Sequence, residues 1–349
     1  MAVFEGPIDS RDGIITRMVT ELQQQGWGLQ FSGDGAAAGS DNRRVSQVRV
    51  LTDADGNNFT IWSRADTHPF STTIPPQTIQ GMLYSDWDPN KGVFEQDLNA
   101  LQNNIYGVRQ VSGYDTQGNF SESSSNLNQT SNFCGTDGEP SFLWLFTGPT
   151  YCHAVWQSDP GRYHHFNFGT INKGFDFNGG AYMCGSWRSQ LDSVTFGRNP
   201  DSDNNCAPFN VIPDVSAFQT ARDMFVGDFD GLSMRMCRGH SSSTHDTHEL
   251  GMRGALTDFA HRFAVPPHTS RTVLIPYWVS IRTTANNDAR HMGTIPSARR
   301  ANIANHSPGD RLDYEGEQWR IFPWSMKRTA YSNDSDLGST FVYAVAYKE

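Results

Sequence analysis

The sequence predicts a mainly β, α+β protein: an antiparallel, sandwich-like core with a short N-terminal helix and long polar loops. Three observations carry that expectation. Charged residues make up only 18% of the 349 positions, whereas Gly (32) and the aromatics (12%) are plentiful, a balance that favours strands and turns over helix bundles. Short apolar runs are bounded by clusters of Gly, Pro, Asp and Ser, the usual punctuation of hairpins. Apolar residues recur at a helical period over a full helix's length only near the start of the chain.

That first segment has Asp9 or Ser10 as candidate N-cap, Ile14, Ile15, Met18, Val19 and Leu22 on one face, and Gln25-Gly26 as its stop. Gly33 to Arg44 is small and polar and reads as a loop. Val45 to Thr52 and Asn58 to Ser63 flank Asp53-Ala54-Asp55-Gly56, a hairpin signal. Asp53, Asp55 and Asn57 echo the start of a calcium loop, but the required Gly and terminal Glu are out of place, and a plain β-turn is the simpler reading. His68 to Pro89 reads as irregular because Pro69, Pro75, Pro76 and Pro89 interrupt it. Phe94 to Ile105 is a candidate short helix and Tyr106 to Tyr114 a candidate strand. Asp115 to Asp137, with Ser123-Ser124-Ser125, reads as a long polar loop or arm. These features divide the chain into 1–114, a polar segment 115–138 and a main antiparallel β domain 139–349, with the first and last readable as one continuous domain.

The densest β signal lies between Glu139 and Arg188. Phe142 to Phe146 is an apolar run closed by Gly148-Pro149, Tyr151 to Trp156 is a second strand, and Ser158-Asp159-Pro160-Gly161 turns the chain into Arg162 to Phe168. Gly179-Gly180 reads as a tight turn or bulge, since no phosphate-loop pattern surrounds it. Asn199 to Asn205 is another polar loop. Arg271 to Arg282 alternates strand formers around Pro276, which suits a sheet edge. Pro308-Gly309-Asp310 is a turn, and Gln318 to Pro323 and Thr340 to Tyr347 are closing strands, the last one docked on a sheet.

Several residue groups invite a chemical reading beside a structural one. Asp228 and Asp230 bracket Phe229 like a carboxylate pair, yet Gly227 and Gly231 suit a turn. His240, His245, His248 and Glu249 lie in GHSSSTHDTHE, and His153, His164 and His165 lie in the central hairpin. His245 and His248 approach a metal-ligand spacing, but the Ser-Thr run between His240 and His245 forms helix poorly and no HExxH is present. A solvated loop is the simpler reading. Cys134, Cys152, Cys184, Cys206 and Cys237 contain no CxxC pair and are expected to be buried free thiols, with a disulfide left open. No nucleophile elbow or catalytic triad can be assembled. No catalytic, cofactor-binding or metal-ligating residue is therefore assigned, and no cofactor is expected.

The run Phe142–Phe146, the His-Ala-Val core at 153–155, the His-Phe-x-Phe-Gly return at 165–169 and Gly179-Gly180-Ala181-Tyr182 together resemble virion structural proteins of tailed bacteriophages. Pro308 to Leu312, the segment Glu317 to Trp324 and the opening Ile14 to Trp27 fit the same resemblance, which touches about half of the chain. It implies a ring-forming, non-enzymatic subunit of the neck or of the tail and baseplate, partnered by other virion proteins and by copies of itself around the DNA path. The expected location is the virion, after synthesis in the host cytoplasm; no membrane span or leader is legible.

Charge agrees with that picture. The net charge is -10, yet residues 251–328 hold 11 Lys+Arg against 6 Asp+Glu, so that region is +5 and the remainder -15. Such a split suits head-to-tail packing of copies and argues against tight nucleic-acid binding. Two other classes stay open. A carbohydrate-binding module would use Trp144, Trp156, Trp187, Tyr163 and Tyr182 to stack on sugars, and a glycan or cell-wall hydrolase would use Asp228, Asp230 or Glu249.

Overall fold

Three antiparallel sheets are stacked so that the middle one is covered on both faces. The computed structural model describes residues 1–34, 45–64, 78–84, 87–91, 132–135, 140–158, 160–185, 224–229, 232–236, 249–250, 272–282, 289–323 and 343–349. Its elements in chain order are β1 (Ala2–Pro7), α1 (Arg11–Gln24), β2 (Gly28–Gly33), β3 (Val45–Thr52), β4 (Asn58–Arg64), β5 (Thr78–Tyr84), β6 (Asn132–Gly135), β7 (Phe142–Gly148), β8 (Tyr151–Gln157), β9 (Tyr163–Thr170), β10 (Asn172–Lys173) and β11 (Asn178–Gly185). They continue as β12 (Met224–Phe229), β13 (Leu232–Met236), β14 (Glu249–Leu250), β15 (Ile275–Arg282), β16 (Ala289–Asn302), β17 (Arg311–Tyr314), β18 (Glu317–Pro323) and β19 (Tyr343–Lys348).

The central sheet runs β1-β7-β8-β9-β11-β12-β13. A second sheet, β2-β3-β4-β5-β6, and helix α1 cover one face; a third, β14-β15-β16-β19-β18-β17 with β10 paired to β16, covers the other. A strand buried on both sides cannot show polar alternation, which is why every residue of β9 is buried and β8 is buried from Tyr151 to Trp156. Successive side chains still point to opposite faces. Leu143, Leu145, Cys152, Ala154, Trp156, Phe166, Phe168 and Met183 meet Ile14, Met18, Leu22, Phe59 and Ile61. Phe146, Val155, Tyr163 and Tyr182 meet Met292, Ile295, Phe322 and Val345 on the other side. Residues on either side of the 115–138 segment thus share one apolar core.

Helix α1 begins where expected. Ser10 is the N-cap, its Oγ accepting from the Gly13 N–H at 3.1 Å, and Gly26 follows the C-cap with φ +88°, a conformation that only glycine adopts without strain. Trp27 then enters the core, donating its indole N–H to the Gly148 carbonyl at 2.8 Å and packing on Phe59 and Phe168. The hairpins β3–β4 and β8–β9 form on the predicted turns. Gly179-Gly180 is a bulge in β11, and β19 docks between β16 and β18.

Three expectations need correcting. His68 to Pro89 is not irregular throughout, because the proline-free Thr78–Tyr84 forms β5 and pairs with β4 from Asn58↔Tyr84 to Arg64↔Thr78. Gly81 lets this strand come close to the central sheet, since a Cβ there would collide with Met183. The polar segment 115–137 is not wholly a loop either: Asn132–Gly135 is β6, which pairs with β5. Asp228 lies within β12 rather than in a turn, opposite Ser233 and Asn178; Phe229 pairs with Leu232, so the reversal comes after it. Strands β1 and β2 were not expected at all. The candidate helix 94–105, the candidate strand 106–114 and loop residues 35–44 and 199–205 lie outside the described residues.

Candidate functional site: a histidine seam between two sheets

The register of the β8–β9 hairpin places His153 opposite Asn167 and His165 opposite Val155. All four are odd-numbered positions and face the third sheet. That sheet reaches back through a large bulge. Along β15 the pairing steps from Pro276 to Trp278, while along β16 it steps from Arg299 to Thr294. The extra residues push the Pro296 carbonyl inward, with Ser297 held at φ 52°, a left-handed conformation that costs a non-glycine residue about 1 kcal/mol or more. The second anchor is Pro323, the last residue of β18, opposite Ala344.

Each histidine spans the gap to one of these carbonyls. His153 Nε2 lies 2.7 Å from Pro296 O, and His165 Nε2 lies 2.8 Å from Pro323 O. A carbonyl only accepts, so both rings carry hydrogen on Nε2. Burial, opposed by these same bonds, holds both pKa values down to about 4, and at His165 the neighbouring His153 lowers it further. Both are therefore neutral at pH 7, and each Nδ1 is an acceptor. The Tyr347 hydroxyl donates to His165 Nδ1 at 2.8 Å. The Asn167 side-chain amide stands 3.0 Å from His153 Nδ1 through the atom assigned Oδ1. A neutral ring requires this amide to present Nδ2–H instead, which also gives that otherwise unpaired buried N–H an acceptor.

Aromatic rings complete the seam. Tyr151 stacks on His153 at 5.1 Å, its hydroxyl bonded to Ser297, and Tyr347 sits 5.0 Å from the His153 ring. Tyr182 is buried in the same layer, and burial raises its pKa well above the usual phenol range, so it stays protonated. Neutral donors and acceptors on rigid strands make this arrangement a fastener between layers.

Two other polar clusters also join layers. In the β3–β4 loop, Asp53 Oδ1 accepts from the N–H groups of Asp55 (3.0 Å) and Asn57 (2.9 Å), while Oδ2 accepts from Thr170 of the central sheet at 2.5 Å. The echo of a calcium loop is thus a turn whose first carboxylate is bonded to its own backbone and to the next layer. Arg320 of the third sheet pairs with Glu5 of β1 and with Glu349 at 2.5 Å, and Arg311 reaches the same Glu349 at 2.8 Å.

The residues marked in the sequence do not converge on one place. His164 points away from His153 and His165, stacking on Trp156 and bonding Ser158 at 2.9 Å. The aromatic set proposed for sugar stacking is corrected: Trp156, Tyr163 and Tyr182 are buried and Trp144 packs on Phe322, because all four belong to a sheet covered on both faces. Asp228 and Glu249 lie in strands of different sheets, opposite Ser233 and Arg282. Trp187, Asp230, His240, His245, His248, Cys206 and Cys237 lie outside the described residues. Among the described residues, no three His, Cys, Asp or Glu side chains gather to hold a metal ion. Cys152 and Cys184 are buried and form no disulfide, and they face opposite cores. Asn167, Pro296 and Pro323 were not singled out in the sequence, and Tyr347 was read only as part of the closing strand. No protein-family model and no curated protein matches the chain.

Proposed function

We propose that this chain is a non-enzymatic structural subunit of a tailed-phage particle, forming a ring or collar at the neck or in the tail or baseplate that joins neighbouring oligomers around the DNA path. One observation carries the reading. The buried polar side chains that span layers, His153, His165, Asp53 and Arg320, each tie one sheet to another. Polar groups deployed in this way stiffen a building block. The net charge of -10 adds support, since an acidic wall repels passing phosphates instead of holding them.

Its partners are then other virion proteins and copies of itself, and its place is the virion. The test is immunogold electron microscopy of purified particles, with mass spectrometry of their protein content. Gold at a fixed ring position, with a stoichiometry of several copies per particle, is the expected result. Particles that lack the protein would overturn the proposal, and turnover of cell-wall glycans by the purified chain would favour the hydrolase reading.

A further inference from the structure

We propose that the outer side of the β15–β16 ribbon is the surface through which one copy of this chain packs against the acidic surface of a second copy. The inference deepens the structural-subunit reading and rests on it. Alternation along β15 sends Tyr277 and Val279 into the core against the central sheet, while Trp278 remains 39% exposed and Val273, just before the strand, 42% exposed. Their neighbours Leu274, Tyr277 and Val279 are no more than 4% exposed, so the exposure belongs to a well-packed element. Tryptophan is a residue type enriched at contact surfaces, and Val273 adds a second exposed apolar side chain near the start of the strand.

Beyond the two-residue pairing of β14 with Ile281 and Arg282, the outer side of β15 has no strand partner among the described residues. Edge strands are usually protected by charge. Here β1 carries Glu5 as well as Pro7, and β17 carries Arg311 and Asp313, whereas residues 272–281 contain no charged side chain at all. Pro276 blunts strand addition locally and leaves side-chain packing as the mode of contact.

Charge identifies the occupant. Residues 272–282 and 289–302 contain Arg282, Arg290, Arg299 and Arg300 and no Asp or Glu. Arg300 is buried over the Tyr277 ring and Arg299 lies over Trp319. Arg290 stands opposite Ile281 at the end of the ribbon, and the adjacent Arg282 has Glu249 of β14 as its other cross-strand neighbour, which leaves Arg290 as the basic position there without an acidic residue opposite it in the described register. An apolar strip beside basic positions fits an acidic counter-surface, and outside 251–328 this chain is itself -15. Unlike patches on identical copies meet head to tail, which closes into rings when the rotation allows.

The experiment is sedimentation velocity of the full chain across about 1 to 100 µM, at low and high salt, for wild type, Trp278→Asp and Val273→Asp. Far-UV circular dichroism and melting verify that each variant is folded. The expected result is concentration-dependent self-association that is weakened by salt and at least about tenfold weaker in either variant. Two variants are used so that the loss of one to misfolding leaves the other to decide. Association unchanged in a folded variant, or a wild-type chain that stays monomeric throughout, would overturn the assignment. So would binding of a fluorescent DNA duplex that is lost in Trp278→Asp, which would give the ribbon to nucleic acid. Virion labelling is measured on particles, so the ribbon can fail this test while the structural-subunit reading stands.

Discussion

Acid should loosen the seam between the central and third sheets, and two histidines set the pH window. In the folded protein His153 and His165 hold their pKa values at about 4, against an ordinary value near 6.5. Between those limits the unfolded chain binds more protons than the native one, so stability falls as pH falls. The contribution is complete above about pH 6.5 and lost by about pH 4. At 1.36 kcal/mol per tenfold change, each ring accounts for roughly 3 kcal/mol, and the pair for about 5–7 kcal/mol. In mid-window just under two protons are linked to unfolding, giving a slope of about 2–3 kcal/mol per pH unit. Urea denaturation at half-unit intervals from pH 4.5 to 7.5 measures it. His165→Gln retains a side-chain N–H for Pro323 and removes one titrating group, so the slope should fall by about half, and further in the double variant with His153→Gln. A double variant that keeps the wild-type slope would refute the reasoning, because some other group would then carry the protons.

Three more outcomes follow from the other contacts. Asp53→Asn should stay within about 1 kcal/mol of wild type at pH 7, because burial raises the native carboxyl pKa and the neutral amide escapes that penalty. Asp53→Ala should cost about 1–3 kcal/mol by leaving the Asp55 and Asn57 N–H groups unpaired, as read by urea titration. Gly169→Ala should lower stability by more than about 3 kcal/mol, or roughly 6–12 °C in Tm by calorimetry, since φ is +147° and a Cβ would strike the Thr150 and Tyr151 backbone. Arg320→Met should cost roughly 1–2 kcal/mol, because Glu349, at 13% exposure, loses one of its two guanidinium partners and keeps only the exposed Arg311, while the more exposed Glu5 is rescued by water; denaturation in low and high salt checks it.

Local signals made much of the fold legible. Ser10 and Gly26 bound the helix, the Asp53–Gly56 and Ser158–Gly161 segments set two hairpins, and the alternation of Val345 and Tyr347 with Ala344 and Ala346 marked β19 as a docked strand. Strands whose partners are distant were missed. Strand β1 pairs with β7 across 145 residues, and nothing within Ala2–Pro7 announces that. Strands β5 and β6 were hidden by neighbouring prolines and polar residues, although each is secured by a register no local pattern encodes.

The seam was half legible. Counting back from the β8–β9 turn puts His153 and His165 on one face and His164 on the other, which already argues against a three-histidine cluster. Their acceptors could not be read, because Pro296 and Pro323 lie 143 and 158 residues along the chain. The exposed Trp278 was likewise indistinguishable in sequence from the buried Trp156, since exposure depends on whether a second layer covers the strand.

The position of β19 has a consequence for synthesis. Residues 343–348 form an interior strand, flanked by β16 at Ala298↔Tyr347 and by β18 at Trp319↔Lys348. Without them the third sheet is two fragments, β14-β15-β16 and β17-β18, with Val345 and Tyr347 missing from the layer that the histidines fasten. A nascent chain can assemble the helix, the second sheet and much of the central sheet while its later part is still on the ribosome. Until 343–348 emerge, however, that half-built protein leaves Phe146 and Val155 without Val345 and Tyr347 against them, and His165 without its Tyr347 donor. Ribosome stalling or proteolysis just upstream of 343 should therefore yield an aggregating species instead of a shorter native one.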